Sequence, residues 1–457
     1  MHRIHHNSGT GIDMLHGPMA WKIFVFALPL IASGILQQSF NAVDVAVIGR
    51  YSSAQAMAAV GSNGVIINIL VNLFLGVAVG ANVVIANHIG HANKEGVRRS
   101  VATVGIVSLV SGAILLVLGS VLARPILEAM GTPDDVIELA TVYLRIYFLG
   151  MPFIMAYNFG SAILRSIGDT RRPFYSLLVA TAVNALLDWL LVAEFGMGVD
   201  GVAIATVIAN GVNAAIIAGI LMREPEPYTL NPRRMYIDRG DLKKMLKIGV
   251  PAGLQGMVFS FSNIFIQSSI NRFGADAIAG SAAALTYEAY CYYIVSSFCA
   301  ATIAFVGQNY GAGNFDRCRR VFRICLAMAA VGCALANLTV FLNGRAALGL
   351  FTTDEAVIPF GLDRFRTVLI FQCLACSYEI SGAYMRGLGY SMCPMLLTVF
   401  GTCVLRLVWV FTVAARTLDF CLLLDIYPIS WAITGILVVS AALIVQKRAF
   451  TSPGRPA

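Results

Sequence analysis

Charge is the scarce ingredient of this sequence. Its 457 residues include 24 Asp and Glu and 32 Lys and Arg, together 12% of the chain, about half the ~25% usual in soluble domains. The residues AVILMFWYC make up 58%. A soluble chain of this length would form two or three domains with water-facing surfaces to cover, and so little charge cannot cover them. Disorder is excluded as well, because it requires low hydrophobicity with high net charge. An outer-membrane barrel is excluded because its strands alternate apolar and polar residues, whereas the apolar runs here are continuous. Cysteine is missing before Cys291, and the only close pair, Cys373 and Cys376, falls within an apolar run. A zinc or redox site needs a water-accessible CxxC or a second pair, so the cysteines read as small packing residues. No GxxxxGK[ST] occurs, nor any Gly-Lys pair, which argues against an ATP-driven pump. The GxGD signature of intramembrane aspartyl proteases is absent around both Asp44 and Asp188. The first twenty residues carry His2, Arg3, His5, His6 and Asp13 and no apolar core, so no signal peptide is read. Neither enzyme chemistry nor a bound cofactor is expected.

What is present is a series of twelve long hydrophobic stretches. They lie near 20–49, 57–87, 97–122, 137–163, 173–193, 201–222, 246–271, 277–307, 321–342, 357–385, 393–414 and 428–446, each of the length that spans a bilayer as a helix. The fold class expected is an all-α polytopic membrane protein of twelve transmembrane helices. Only Arg50, Arg124, Arg272, Arg345 and Arg416 fall in the loops of one side. Most other basic residues, including Arg98, Arg99, Arg171, Arg172, Lys243, Lys244, Lys447 and Arg448, fall on the opposite side. By the positive-inside bias both termini are cytoplasmic. The net charge of +8 then faces anionic lipid headgroups and not nucleic acid. The expected location is the inner (cell) membrane of a prokaryote.

The two halves repeat. At an offset of 222 residues Pro29 matches Pro251, Asn41 matches Asn263 and Arg50 matches Arg272. After a one-residue slip, Gly90 matches Gly311, Arg98 matches Arg319, Thr132 matches Thr353, Arg165 matches Arg386 and Pro173 matches Pro394. Six spans per repeat is an even number, so both halves enter the membrane in the same sense, giving a parallel repeat of two six-helix lobes. The organisation expected is a cytoplasmic segment 1–19, an N-lobe 20–222, a cytoplasmic linker 223–244, a C-lobe 245–446 and a cytoplasmic tail 447–457. The linker is polar and carries Pro225, Pro227 and Pro232.

All acidic residues except Asp44, Asp188, Glu288 and Glu379 fall in loops or at span ends. A carboxylate in a helix centre costs about 2.5–3.5 kcal/mol on insertion scales, so such groups face a bundle interior and usually carry function. At the positions equivalent to Asp44 and Asp188 the second half has Ile266 and Trp409. A scaffolding duty would be met in both halves, so the asymmetry points to chemistry in the N-lobe. Asn184 stands one turn before Asp188, and Asn41 one turn before Asp44. Two carboxylates, a carboxamide and a hydroxyl such as Thr206 make a hard-oxygen cluster suited to Na⁺ or to a shared proton. Glu288 and Glu379 divide evenly between structural ion pairs, with Arg386 and Arg406 as partners, and cargo contact.

At these residues the chain resembles the multidrug and toxic compound extrusion (MATE) family, more closely its DinF-like than its NorM-like branch. The likeness covers about residues 20–446. It rests on LPLIASGILQQSFNAVDVAVIGR, RSIGDTRRPFYSLLVATAVNALLDWLLV, GVAIATVIA, VPAGLQGMVFSFSNIFIQSSIN, AFVGQNYGAGN and SGAYMRGLGYSMCP. The resemblance implies a secondary active antiporter that exports organic cations or other drug-like amphipathic molecules against H⁺ or Na⁺ by alternating access, functioning as a monomer among membrane lipids. It places the cation-coupling site at Asp44, Asn184, Asp188 and Thr206, and a helix-bending role at Pro29. Phe40 stands where some relatives have a tyrosine lining the cavity. With Asn41, Glu288 and Glu379 it makes up the candidate cargo cavity. The acidic residues that NorM-like members use in spans 7 and 10 are replaced near Phe259 and Ser377, which puts a C-lobe cation site of that kind in doubt. The alternative is a flippase of a lipid-linked precursor from the same superfamily, which would need a strongly cationic cavity.

Overall fold

The computed structural model describes residues 11–352, 354–416 and 419–451, the side chains at 41, 54, 57, 58, 61, 62 and 65 excepted. Every regular element among them is helical, the form in which one segment satisfies its own backbone hydrogen bonds in lipid. The first half contains α1 (Met19–Tyr51), α2 (Ala54–Gly90), α3 (Lys94–Ala129), α4 (Asp134–Leu149), α5 (Met151–Ser166), α6 (Arg171–Asp188) and α7 (Val199–Met222). The second contains α8 (Arg239–Ile270), α9 (Ala275–Gly311), α10 (Phe315–Leu342), α11 (Gly344–Gly349), α12 (Ile358–Arg364), α13 (Ala375–Gly387), α14 (Met392–Thr398), α15 (Leu405–Thr412), α16 (Phe420–Leu424) and α17 (Ile426–Thr451). Among the described residues, 11 stretches are long and apolar enough to cross a membrane, and the bent pair α4–α5 supplies a twelfth. The protein is a multi-pass membrane protein with the expected number of spans.

The interruptions have local causes. The α4–α5 pair bends by 47° at Gly150, just ahead of Pro152 at the start of α5, where proline cannot continue the hydrogen-bond ladder. Gly112 of α3 accommodates the corner: a Cβ there would lie 2.5 Å from Pro152 Cα. The repeat-equivalent position in the second half is also irregular. There α12 passes into α13 through a π-turn at Phe365–Leu369 and a 3₁₀ turn at Ile370–Leu374. By contrast α1 runs as one helix through Pro29.

Two compact units emerge. One comprises Ala32–Gly253 with the described part of Met1–Asp13, the other Met14–Ile31 and the described part of Leu254–Ala457. The boundaries fall inside α1 and α8, shortly after Pro29 and Pro251, rather than in the polar linker. In the first unit the reason is visible. Gly76 and Gly80 of α2 meet Gly249 and Gly253 of α8, and a Cβ at Gly76 would lie 2.2 Å from the Gly253 nitrogen. Two small-xxx-small stripes let these backbones touch, which is how helices pack tightly where no hydrophobic effect drives them together. The N-terminal end of α8 is pinned to α2 and α3. His88 Nε2 lies 3.1 Å from Asp241 Oδ1, Ser100 donates to Asp241 Oδ2 at 2.7 Å, and the Asp238 N–H donates to Thr103 at 2.9 Å.

Candidate functional site

The first unit buries its acidic cluster between α1, α6 and α7. Asp44 lies on α1, Asn184 and Asp188 on α6 and Thr206 on α7, and none is more than 3% exposed. Thr206 Oγ1 donates to Asp44 Oδ2 at 3.4 Å. Asn184, with its amide nitrogen turned toward the carboxylates as their acceptor oxygens require, donates to Asp44 Oδ1 at 3.1 Å and to Asp188 Oδ2 at 3.3 Å. One carboxamide therefore bridges both acids, and the two carboxyls are themselves within hydrogen-bonding reach. Asp188 Oδ1 is enclosed and accepts nothing among the described residues.

The local sequence explains the placement. Asn184 and Asp188 share one face of α6 because they are four residues apart. Immediately after Asp188 the helix widens into a π-turn over Trp189–Glu194, a feature frequent at functional sites. Two residues that the sequence reading did not single out complete the surroundings. Tyr143 and Tyr147 of α4 stack with ring centroids 5.9 Å apart. Both lie within electrostatic reach of Asp44, and Tyr143 also of Asp188. The i, i+4 spacing of two tyrosines in an apolar span was the available signal.

Two carboxylates this close in a buried site repel each other strongly, and that repulsion is relieved by a proton or a cation between them. The donor set serves either. Asn184 donates to both acids when both are ionised; turned over, its amide oxygen faces them and would accept from a protonated carboxyl or ligate Na⁺. A proton would have the enclosed Asp188 Oδ1 to occupy.

The remaining candidates separate. Phe40 is buried on α1. Asn41 lies in α1, but its side chain is outside the described residues. Glu288 of α9 is buried and gripped by Arg364 of α12, Nε to Oε1 at 2.7 Å and Nη2 to Oε2 at 3.0 Å. Arg364 also donates to Ser281 at 2.8 Å. With both oxygens so engaged, Glu288 belongs to an internal ion pair, and its partner is neither of the arginines expected. Arg386 donates to Gln255 at 2.6 Å, and Arg406 to Ser430 at 3.2 Å. Glu379 is half-buried and accepts from the Tyr292 hydroxyl at 3.2 Å.

Comparison with known proteins bears on the whole chain. The MatE family model matches residues 29–190 and again 251–412, so the family's own unit recurs at the offset of the internal repeat. Probable multidrug resistance protein YoeA of Bacillus subtilis (strain 168) is 29% identical over 391 residues, 84% of each chain. Probable multidrug resistance protein NorM of Thermotoga maritima is 26% identical over 392 residues, again 84% of each. A solved structure described as the outward-facing conformation of a multidrug resistance MATE family transporter of the MOP superfamily matches with a TM-score of 0.89. That match covers 97% of this chain and 99% of the other, at 23% identity, and shows a common fold.

Proposed function

Since this chain belongs to the MatE family, whose members are transporters and not enzymes, we propose that it is a secondary antiporter exporting cationic or amphipathic small molecules, driven by an inward proton gradient. The multidrug names of its relatives support the cargo class. One observation supports the coupling: Asp44 and Asp188 are buried together around Asn184 and within hydrogen-bonding reach of each other, so that one proton can be shared between them. Among the described residues of the first unit, Asp44 and Asp188 are the buried carboxylates without a cationic partner, which suits a proton carrier and a positively charged cargo.

The cycle follows from competition. With the pair fully ionised, the unit carries two buried negative charges and favours cargo that is positive. Protonation removes one charge, weakens cargo binding and lets the cargo leave on the side where protons are plentiful. By linkage the cargo must weaken proton binding by the same factor. Cargo affinity therefore falls as pH is lowered.

Proteoliposomes test this directly. A proton gradient imposed alone should drive accumulation of ethidium, a Na⁺ gradient alone at fixed pH should not, and ATP should add nothing. Drive by Na⁺ alone would transfer the coupling to a Na⁺ site. Transport indifferent to both ions, with flip-flop of a lipid-linked phosphate, would replace antiport by the flippase reading.

A further inference from the structure

The second unit holds a buried cation with which no carboxylate among the described residues pairs. Arg406 lies on α15, part of the span that repeats α6, the helix carrying Asn184 and Asp188. Its repeat-equivalent in that helix is Ala185, and it sits one turn from Trp409, the counterpart of Asp188. The same helix of the repeat thus carries an acid in one half and a base in the other. Arg406 is 3% exposed. Among the described residues no carboxylate forms an ion pair with it; the nearby Glu288 is already bidentate to Arg364.

The surroundings hold the guanidinium without using up its donors. Its centre lies 4.4 Å from the Tyr427 ring centroid and 5.9 Å from that of Trp431, and these two rings pack edge-to-face at 5.7 Å. Nε donates to Ser430, while Nη1 and Nη2 make no hydrogen bond among the described residues. Neither of them is among the fully enclosed orphan atoms, so both can be reached. Tyr427 also contacts Arg364 at 5.6 Å, whose charge is already matched by Glu288. Two parallel N–H donors on a fixed planar fork match an oxyanion in bidentate geometry, and the indole and phenol rings supply apolar walls beside it.

We propose that Arg406 is the recognition point of an oxyanion-binding site in the second unit, taking the carboxylate or phosphate of an amphipathic molecule, whether cargo or lipid headgroup. This extends the antiport reading by adding zwitterionic and anionic amphiphiles to the molecules bound. The site itself does not depend on proton coupling.

The experiment is equilibrium binding to the full chain in nanodiscs of zwitterionic lipid, with no gradient. The probes are a rhodamine bearing a free carboxylate and its methyl ester, which differ only in that group. Arg406→Gln should weaken the carboxylate dye by about tenfold or more, the effect of losing one charge-assisted contact, and change the ester by about twofold at most. Arg406→Lys keeps the charge without the fork and should fall between. It also decides the matter by the same ratio of the two dyes if the glutamine variant does not elute as a monodisperse peak. Doping the discs with phosphatidylglycerol separates the sources. Competition in wild type but not in Arg406→Gln identifies a lipid headgroup, and absence of competition identifies the cargo's own oxyanion. Equal losses for both dyes, or none for either, would overturn the site. Proton-driven ethidium transport would stand regardless.

Discussion

Neutralising Asp44 separates coupling from folding. In Asp44→Asn the new side chain keeps the shape of the old and one of its acceptors, so of the bonds from Thr206 at 3.4 Å and Asn184 at 3.1 Å one is retained. Losing a hydrogen bond to a charged group costs about 1.5–3 kcal/mol. Removing a carboxylate from the bundle interior returns about 2.5–3.5 kcal/mol on insertion scales. The two nearly cancel, and the new amide N–H can donate to the neighbouring carboxyl of Asp188. Stability should therefore stay within about 1 kcal/mol of wild type, a difference set by these two opposing terms. The effect on transport is all-or-none. One proton exchanged per cargo across a gradient of one pH unit is worth about 1.4 kcal/mol, a concentration ratio of about tenfold. Without the second acid there is no shared proton, and the ratio should collapse to about one. The assay is steady-state ethidium accumulation in proteoliposomes under an imposed pH gradient, with thermal unfolding of the same preparation as control. A variant that still concentrates dye in proportion to the gradient would refute the assignment, as would one that loses transport only because it unfolds.

Three further outcomes are expected. Glu288→Gln should destabilise the protein by about 3–5 kcal/mol, because Arg364 is left charged, buried and unpaired; pairing it with Arg364→Met should restore most of the loss, and chemical denaturation of the single and double variants checks this. Gly76→Leu should abolish accumulation of folded protein, since its Cβ would enter the α8 backbone and overpacking of this kind costs about 1–3 kcal/mol even where neighbours can yield; Gly64→Ala, which meets nothing within 4 Å, is the matched control, and detergent size exclusion reads both. Thr206→Val should leave the cargo response to pH in place, weakening it at most by the loss of one long hydrogen bond, whereas a pronounced fall in Na⁺-dependent cargo release would mark Thr206 as an ion ligand; cargo binding in detergent across pH, with and without Na⁺, distinguishes them.

The one-dimensional pattern carried the class, the span count and the acidic cluster, because each depends on quantities that survive without a fold. A bilayer makes the hydrophobic length of every span explicit, and a carboxylate such as Asp188 inside one is conspicuous against leucines. Asn184 could be joined to it by helical spacing alone. The repeat did more, because Ile266 and Trp409 at the equivalent positions argued against a scaffolding duty for the acids. What tertiary structure decided were the pairings across helices. Nothing local links Glu288 to Arg364, which are separated by the whole of α10 and meet only because α9 and α12 pack together. The tyrosines of α4 lie among many aromatics, and only the fold brings Tyr143 and Tyr147 within electrostatic reach of Asp44. The direction in which Asn184 presents its amide depends on both carboxyls being present at once. The boundary of the first unit, too, came from the glycine faces of α2 and α8, whose close approach is a property of two surfaces and is written in neither sequence stretch alone.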